Sequence, residues 1–457
     1  MGSNTANLFT DFKSISLTEW ETKLEKDLKG TPIEALHFKP EFDLQAKAYY
    51  HPDEFTNQQY SKGSQLNASN NDWAISQSFY DLESKDSNQS ILKALNEGVT
   101  GLKITVSEHT NFSTLLSGVS IAHIFTHFVC PTYSSYEQLI TYLSSEKQKV
   151  SLIEVPFLTE GLRAGTFKLD KGQISSFIQN SAVYCSKNIV IEGHSFCEFG
   201  ASSAQELGIA LSQLNAYLET LSKQNVATKR LHEKIAIHLG ITDNYFVNVA
   251  KFRAIKELVL QLQLQWELPT DTMPWISAET VIRHLTVNDR FNNVLRQTTA
   301  ATSAILGGIS QLIIRPYSEA SNNDEALSSR LAKNIQLILK EEAYLNQVID
   351  TAAGSYVVES LTDQLIDKAW SYFMAIEAVG GYYKAIENGH IHQLIEQSKA
   401  SQITALNENI KTLLGVNKYQ NGTELWHNSV LKNTSKSIDF KGFSPFNLES
   451  NFDNAAI

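Results

Sequence analysis

The sequence predicts an α/β fold, a TIM (β/α)8 barrel with an N-terminal helical and extended arm and a C-terminal tail. From about residue 73, helical periodicity alternates with short runs rich in β-branched residues, which is typical of parallel βαβ units. Eight such runs fall within about 290 residues, a length that favours a barrel over an open doubly wound sheet. At 457 residues the chain exceeds the usual single core, but barrels with insertions reach this length.

The predicted strands are bounded by turn-forming residues and carry few charges. They are residues 101–106, 123–130, 151–157, 188–193, 234–239, 273–277, 311–315 and 347–351. The predicted helices lie mostly between them, at residues 90–97, 133–145, 202–223, 243–265, 288–306, 326–344 and 360–379. Bulky runs in the strands suggest that side chains fill the barrel axis.

We predict three parts: an N-terminal arm for subunit interaction (1–72), the barrel (73–400) and a C-terminal extension (401–457). In the arm, Ser16 and Glu19 form a capping box ahead of an amphipathic helix. The rest of the arm is extended or irregular by composition, so it is expected to wrap on the barrel or on another chain. The C-terminal extension is expected to hold an ordered strand or clamp followed by a loose terminus.

Composition and charge exclude several classes of protein. With 42% apolar and 10% aromatic residues the chain is not disordered, and its net charge of -11 argues against nucleic acid or an anionic membrane as a main partner. The three cysteines have no metal-site spacing. With no leader-like start and no long apolar run, these features predict a cytoplasmic protein.

Several separate stretches resemble methylmalonyl-CoA mutases. Residues 354–362, Gly-Ser-Tyr-Val-Val-Glu-Ser-Leu-Thr, resemble the end of that family's barrel domain. Similar agreement occurs at Trp20 with residues 26–30, and at residues 198–207, 246–254, 292–308, 330–336, 368–381 and 415–419. The resemblance implies an isomerase of propionate metabolism that interconverts methylmalonyl-CoA and succinyl-CoA.

The resemblance also implies which residues would do the chemistry, and here this chain departs from the family. The family needs a tyrosine beside the substrate and a histidine that donates a hydrogen bond to the thioester carbonyl. This chain has Ser78 and Ser195 at those positions. Tyr80 lies two residues after the first, and His194 one residue before the second, where a strand-end shift is expected to turn its side chain to the other face. We therefore predict no catalytic residue and no metal site in this chain.

The cofactor and the partner follow from the same resemblance. The loop Asp-x-His-x-x-Gly that presents a cobalt ligand in this family occurs nowhere, so we expect adenosylcobalamin in a partner and none in this chain. The implied role is the non-catalytic small subunit, a pseudo-enzyme, in a heterodimer with a homologous large catalytic subunit; a homodimer is possible without it. One alternative is an active acyl-CoA mutase barrel that uses Tyr80, His194 and a separate cobalamin-binding chain. Another is a stand-alone binding protein.

Residual ligand binding is predicted at two places. Arg315 and Tyr317 follow strand 311–315, where barrels often bind phosphate. Arg283 lies where the resemblance places coenzyme A contacts, although a solvated loop position is expected for it. His238 is predicted to be a packed core residue, and Cys197 beside His194 is not predicted to be a nucleophile.

Overall fold

The computed structural model describes residues 13–55, 70–164, 171–224, 230–320, 325–420 and 443–452. In these residues all strand pairings within the sheet are parallel, and the strand order is β5-β4-β3-β2-β1-β9-β8-β7-β6. The strands are β1 (Ala74–Tyr80), β2 (Gly101–Thr105), β3 (Phe125–Val129), β4 (Val150–Glu154), β5 (Cys185–Lys187), β6 (Ile189–Glu192), β7 (Ile235–Ile241), β8 (Trp275–Thr280) and β9 (Gln311–Ile313).

The sheet closes into an eight-stranded barrel because β5 and β6 are two halves of one strand. Only Asn188 separates them; β5 pairs with β4 and β6 pairs with β7. The buried Asn188 amide donates 2.8 Å hydrogen bonds to the Ile178 carbonyl and to the Ser181 hydroxyl, which fixes the break. The TIM-barrel prediction is confirmed.

The sequence prediction placed the first and last strands wrongly. The barrel begins with β1, which pairs with β2 and β9, and residues 347–351 form bends and turns instead of a strand. In β1 the polar Ser76, Gln77 and Ser78 dilute the β-branched signal, which explains why the strand was missed. Each later strand therefore stands one place further along than predicted.

Helices surround the barrel and cover its outer face. They are α1 (Leu17–Asp27), α2 (Ser84–Asn96), α3 (Phe112–Leu115), α4 (Tyr133–Ser145), α5 (Phe157–Ala164), α6 (Lys171–Ser181), α7 (His194–Glu198), α8 (Ser203–Lys223), α9 (Tyr245–Gln265), α10 (Asn292–Leu306), α11 (Glu325–Leu337), α12 (Tyr356–Ala378), α13 (Gly381–Glu387) and α14 (His390–Asn407). All seven helices predicted between or after the strands are present, with shifted ends in several cases. In the described part of the chain, no helix is both long and apolar enough to cross a membrane.

The longest helices pack closely on one side of the barrel. Gly208 of α8 lies so close to α12 that a Cβ atom there would come within 2.8 Å of the Ala369 carbonyl oxygen. Between α8, α9 and β7, the fully buried Lys251 ammonium donates to a Glu206 carboxylate oxygen at 2.8 Å and to the Gly240 carbonyl at 2.6 Å. The other Glu206 oxygen accepts from the Gly240 amide, so both carboxylate oxygens and the ammonium are hydrogen-bonded.

The arm contacts the barrel, which is one of the two surfaces on which it was predicted to wrap. Helix α1 has the predicted capping box, and none of its residues is buried. Further along, the Glu41 carboxylate accepts hydrogen bonds from the amide and hydroxyl of Ser203 at 2.8 Å, and Asp43 accepts from Ser202 at 3.1 Å. Two arm carboxylates therefore cap the N-terminus of α8, where the helix dipole favours negative charge.

The C-terminal region is in part as predicted. Helix α14 continues across residue 401, and residues 443–452 pack against the loops that follow β6 and β8. The Phe446 amide donates to the Glu198 carbonyl at 2.9 Å, and the Leu448 amide donates to the Arg283 carbonyl at 3.0 Å. The loose part of the predicted terminus falls on residues 421–442 and 453–457, outside the described residues.

Candidate functional site: an ionic cluster on the barrel axis

Alternate residues of each strand point into the barrel, and they form two layers of opposite character. The layer near the amino ends of the strands is apolar. Phe125 and Trp275 stack there with ring centroids 4.4 Å apart, beside Leu152, Val190 and Ala236. The next inward positions of the same strands carry charged and polar side chains.

These side chains form what we term the axial cluster: Lys103, His127, Glu154, His238 and Glu279. The Lys103 ammonium lies 2.9 Å from a Glu279 carboxylate oxygen and 2.9 Å from Nε2 of His238. Nε2 of His238 is also 3.1 Å from Glu279, and Nε2 of His127 is 2.7 Å from Glu154. Side-chain exposure is 15% for Lys103, 7% for Glu279 and 1% for both histidines, so the axis is closed at this level.

The cluster strongly perturbs the protonation of its members. Burial opposes the charge on Lys103, but Glu279, Glu192 and Glu154 more than compensate and raise the pKa of Lys103. Burial opposes the charge on Glu279 as well, but Lys103, His194, His238 and Arg315 together outweigh it and hold the pKa of Glu279 well below its usual range. Burial and the Lys103 charge lower the pKa of His238 to about 4, so His238 is neutral near pH 7.

Glu192 and His194 extend the cluster at the carboxyl end of β6. The His194 ring lies 5.1 Å from the His238 ring, centroid to centroid. Burial and the neighbouring Glu154 raise the pKa of Glu192 to about 8, and burial lowers the pKa of His194 well below its usual range. Ligand atoms of Glu192, His194 and His238 all lie within 4.8 Å of one another.

Above the cluster, Arg315 is surrounded by carboxylates. Its guanidinium lies 2.9 Å from Glu198, 3.3 Å from Glu279 and 3.6 Å from Glu319. These acids outweigh burial and raise the pKa of Arg315 well above its usual value, so it is a fixed cation. Its charge is already matched within the protein.

The family model for methylmalonyl-CoA mutase matches residues 144–440, more than half of the chain. The chain belongs to the methylmalonyl-CoA mutase family. It is 26% identical over 457 aligned residues to the Porphyromonas gingivalis protein named methylmalonyl-CoA mutase small subunit, covering 93% of this chain and 73% of that protein.

Other family members match over shorter stretches. A Mycobacterium bovis protein named probable methylmalonyl-CoA mutase small subunit is 28% identical, over 76% of this chain and 59% of the relative. A Rhizobium meliloti methylmalonyl-CoA mutase is 32% identical, over 51% of this chain and 33% of the relative. The chain therefore spans about three quarters of one small subunit but only a third of this mutase.

Both positions expected to differ from the catalytic members of the family lie at the axis. Ser78 of β1 pairs in register with Lys103, at the level of the axial cluster, and its buried hydroxyl has no hydrogen-bond partner. Ser195 lies in α7, where its amide donates to Glu192 at 3.1 Å. That Ser78 and Ser195 replace catalytic groups stays a prediction.

The expectation that His194 points away from the axis is wrong. The alternation of side chains ends at Gly193, where α7 follows the strand. The side chains of residues 194 and 195 therefore project from a helical turn and not from a pleated strand. His194 is 7% exposed and faces His238. Helical geometry at the strand end thus adds a histidine to the cluster.

Three residues were predicted to bind a residual ligand, and all three are engaged within the protein. Arg283 is not a solvated loop residue: it is 2% exposed in a 3-10 turn, and its guanidinium donates to the carbonyls of Cys197 and Ala201. Tyr317 is 1% exposed and packs on Phe291, with its hydroxyl buried and unpartnered. Ligand binding by Arg315, Tyr317 and Arg283 stays a prediction, and it would require the two arginines to change partners.

The expectation for His238 is confirmed, and the surroundings of Cys197 support the expectation for that residue. His238 is a buried, hydrogen-bonded core residue, with Nδ1 2.9 Å from the Ser277 hydroxyl. Cys197 is fully buried, and burial together with Glu206 raises the pKa of its thiol to about 12, which opposes the thiolate that a nucleophile requires.

The sequence interpretation overlooked the other members of the axial cluster, although a signal was available. Lys103, His127 and Glu279 each occupy an inward position in a strand with no other charged or histidine residue. A charge at such a position of a parallel barrel strand must lie inside the barrel or at its mouth, and it requires a partner there.

Proposed function

We propose that this chain is the non-catalytic small subunit of an adenosylcobalamin-dependent methylmalonyl-CoA mutase and that it stabilises a homologous large subunit that carries the active site. The observation that carries the proposal is the axial cluster. In the family's catalytic barrel the pantetheine arm of coenzyme A passes down the axis, according to the resemblance. Here Lys103, Glu279 and His238 fill that path with nearly inaccessible charged and polar side chains.

Opening the axis would be costly. A substrate chain could enter only by separating the Lys103–Glu279 pair, and breaking a buried pair typically costs about 3–5 kcal/mol. Ser78 and Ser195 add to this, because neither hydroxyl can replace a tyrosine ring or an imidazole. These facts support a barrel that keeps the family's scaffold without its reaction.

Adenosylcobalamin does not fit the residues of this chain. The three described histidines at the axis, His127, His194 and His238, are 1%, 7% and 1% exposed, so they are not accessible as ligands for a corrin ring outside the mouth. The loop motif that supplies a cobalt ligand in the family is absent from the sequence. We therefore assign the cofactor to the proposed partner and no step of the reaction to this chain.

The arm is the part best placed to serve a partner. Ile15, Leu36, Phe38 and Phe42 expose 56%, 42%, 63% and 41% of their surface. The same segment is anchored on α8 through Glu41. The arm is therefore already ordered before a second chain binds, which lowers the entropic cost of binding. A stable heterodimer should bury well over 2,000 Å² in total, the range of obligate complexes.

Co-expression with the large mutase chain of the same organism tests the proposal. We expect a one-to-one complex by native mass spectrometry, and mutase activity that survives heating longer than that of the large chain alone. The small-subunit variants Ser78→Ala and Ser195→Ala should leave the activity of the complex unchanged. Full activity and stability of the large chain alone, or loss of activity in either alanine variant, would overturn the proposal.

One observation favours the alternative of an active barrel. Tyr80 ends β1 at the mouth and is 67% exposed, so it is accessible to a ligand. Under this alternative, the chain and a separate cobalamin-binding chain would convert methylmalonyl-CoA without any large subunit, and Tyr80→Phe would abolish turnover. Absence of turnover in that mixture would exclude it.

A further inference from the structure

We propose that Glu192, His194 and His238 form a binding site for one divalent transition metal ion of the zinc type. The site lies on the barrel axis, at the carboxyl end of β6 and the middle of β7, where Glu192 and His238 pair in register. The inference does not depend on the proposed role as a small subunit, since it concerns side chains within this chain alone.

The geometry supplies the three ligands. One candidate ligand atom from each residue lies within 4.8 Å of the other two, and small side-chain rotations would bring all three to about 2.0–2.2 Å from a common ion. Two imidazoles and one carboxylate are a ligand set that zinc and similar metals accept, with positions left for water or a further carboxylate. Glu279, 3.1 Å from Nε2 of His238, is the nearest additional oxygen donor.

A second observation points to a ligand independently of the spacing. Nε2 of His194 is buried and has no hydrogen-bond partner, although its side chain is 7% exposed. Leaving a buried nitrogen unsatisfied costs about 1–3 kcal/mol, so such groups usually have an occupant. The neighbouring Glu192 is oriented by the Ser195 amide, which donates to its Oε1 at 3.1 Å and leaves its other oxygen available to an ion.

The charge balance at the axis favours a bound cation. Among the described residues of the cluster and the mouth, five carboxylates face two fixed cations, Lys103 and Arg315. The carboxylates are those of Glu154, Glu192, Glu198, Glu279 and Glu319. Ionising all five carboxylates while the histidines are neutral would leave a buried excess of negative charge, which a divalent ion would reduce.

The positive charge of Lys103 would repel a metal ion at this site, and this repulsion provides a further test. Its ammonium lies 2.9 Å from Nε2 of His238, the atom that faces Glu279. A metal at that nitrogen would displace the ammonium towards Glu279 and would be repelled by it. Removing the Lys103 charge should therefore increase metal affinity, whereas it would have no such effect on adventitious binding at the surface.

The experiment uses untagged full-length protein, purified with its large subunit if it does not purify alone, and freed of metal with a chelator. Zn²⁺ is titrated by calorimetry, and Co²⁺ by visible absorption, which reports tetrahedral nitrogen and oxygen ligands. We expect one ion per chain and no competition from millimolar Mg²⁺, which prefers oxygen ligands in octahedral geometry. Absence of stoichiometric binding overturns the proposal.

Variants localise the ion. His194→Gln and Glu192→Gln should each weaken Zn²⁺ binding by more than about 100-fold, because even outer-shell partners of a metal cost 10–100-fold. Lys103→Met should tighten binding by at least about tenfold. His109→Gln, at an exposed loop position on the same end of the barrel, is the matched control and should change nothing.

Other outcomes reject the site. Binding that survives both His194→Gln and Glu192→Gln, or that falls equally in His109→Gln, places the ion elsewhere. Circular dichroism of each variant verifies folding. If His194→Gln fails to fold, Glu192→Gln and Lys103→Met still give opposite expected shifts, and equal affinities in those two variants would refute the proposal.

Discussion

Two buried ionic regions of this molecule follow different rules. Between α8, α9 and β7, Lys251 and Glu206 form a fully buried one-to-one pair, and each also makes a hydrogen bond to the backbone of Gly240. On the barrel axis, carboxylates outnumber fixed cations, and two histidine nitrogens, Nδ1 of His127 and Nε2 of His194, have no partner. The first arrangement is complete in itself, whereas the second still has capacity for a proton or a cation.

The balanced pair belongs to the scaffold of the barrel, whereas the axis is the candidate site. Glu206, Lys251 and Arg253 belong to stretches that resemble other methylmalonyl-CoA mutases, and Arg253 likewise joins α9 to Glu359 of α12 at 2.8 Å. The motifs that identify the family are thus partly structural ion pairs that hold helices on the barrel. The axis is the region in which we predict that this chain departs from the catalytic members of the family.

Breaking the balanced pair should have the largest effect. Lys251→Met leaves the Glu206 carboxylate buried without a cation and should lower the free energy of unfolding by about 3–5 kcal/mol. Urea unfolding followed by circular dichroism measures it. The double variant Lys251→Met with Glu206→Gln removes the uncompensated charge and should recover much of the loss; equal losses in the single and double variants would contradict this explanation.

Removing the cation of the axial cluster should cost less, because nearby acids can take up protons. Lys103→Met should lower the free energy of unfolding by about 1–3 kcal/mol at pH 8. Lys103 depresses the pKa of Glu279, so the stability it provides is present above the ordinary glutamate value of 4.5. The deficit should shrink as the pH falls below 4.5 towards the depressed pKa of Glu279, and a deficit that stays constant over that range would show that Lys103 acts through packing alone.

The arm provides a smaller, pH-dependent test. Burial and the neighbouring Asp43 raise the pKa of Glu41 to about 7, so the protein should lose stability as the pH rises from 4.5 to about 7. Glu41→Gln should remove this dependence and gain up to about 1 kcal/mol at pH 8, less the lost hydrogen bond from Ser203. Thermal unfolding at pH 5 and pH 8 measures the change, with the exposed Glu34→Gln as the control expected to behave like the wild type.

The smallest effect should be local. Ser16→Ala removes the cap of α1, a helix with no buried residue, and should cost about 1 kcal/mol of helix stability. Amide hydrogen exchange within residues 17–27 should accelerate, while global unfolding stays constant. Ser14→Ala, outside the capping box, is the matched control, and a shift in global unfolding by Ser16→Ala would show that α1 is coupled to the barrel.

The sequence predicted the strands of the barrel well where β-branched residues form a run, and poorly where polar residues interrupt that run. The strands around Ile191, Ile237 and Leu312 follow from β-branched runs, but β1 carries serines and a glutamine and was missed. The position of His194 could not be predicted, because it depends on a helical turn that begins right after Gly193. Partners across the axis, such as Lys103 and Glu279, are 176 residues apart in sequence, and only barrel closure brings them together.

The contacts of residues 443–452 have a consequence for synthesis on the ribosome. This segment completes the loops after β6 and β8: Glu449 accepts hydrogen bonds from the amides of Val287 and Asn288, and Asn447 donates to the carbonyls of Ile282 and Leu285. During translation those loops emerge more than 150 residues before their cover does. During this interval the loops of the nascent barrel remain exposed, and a chaperone or a companion subunit has the opportunity to bind them.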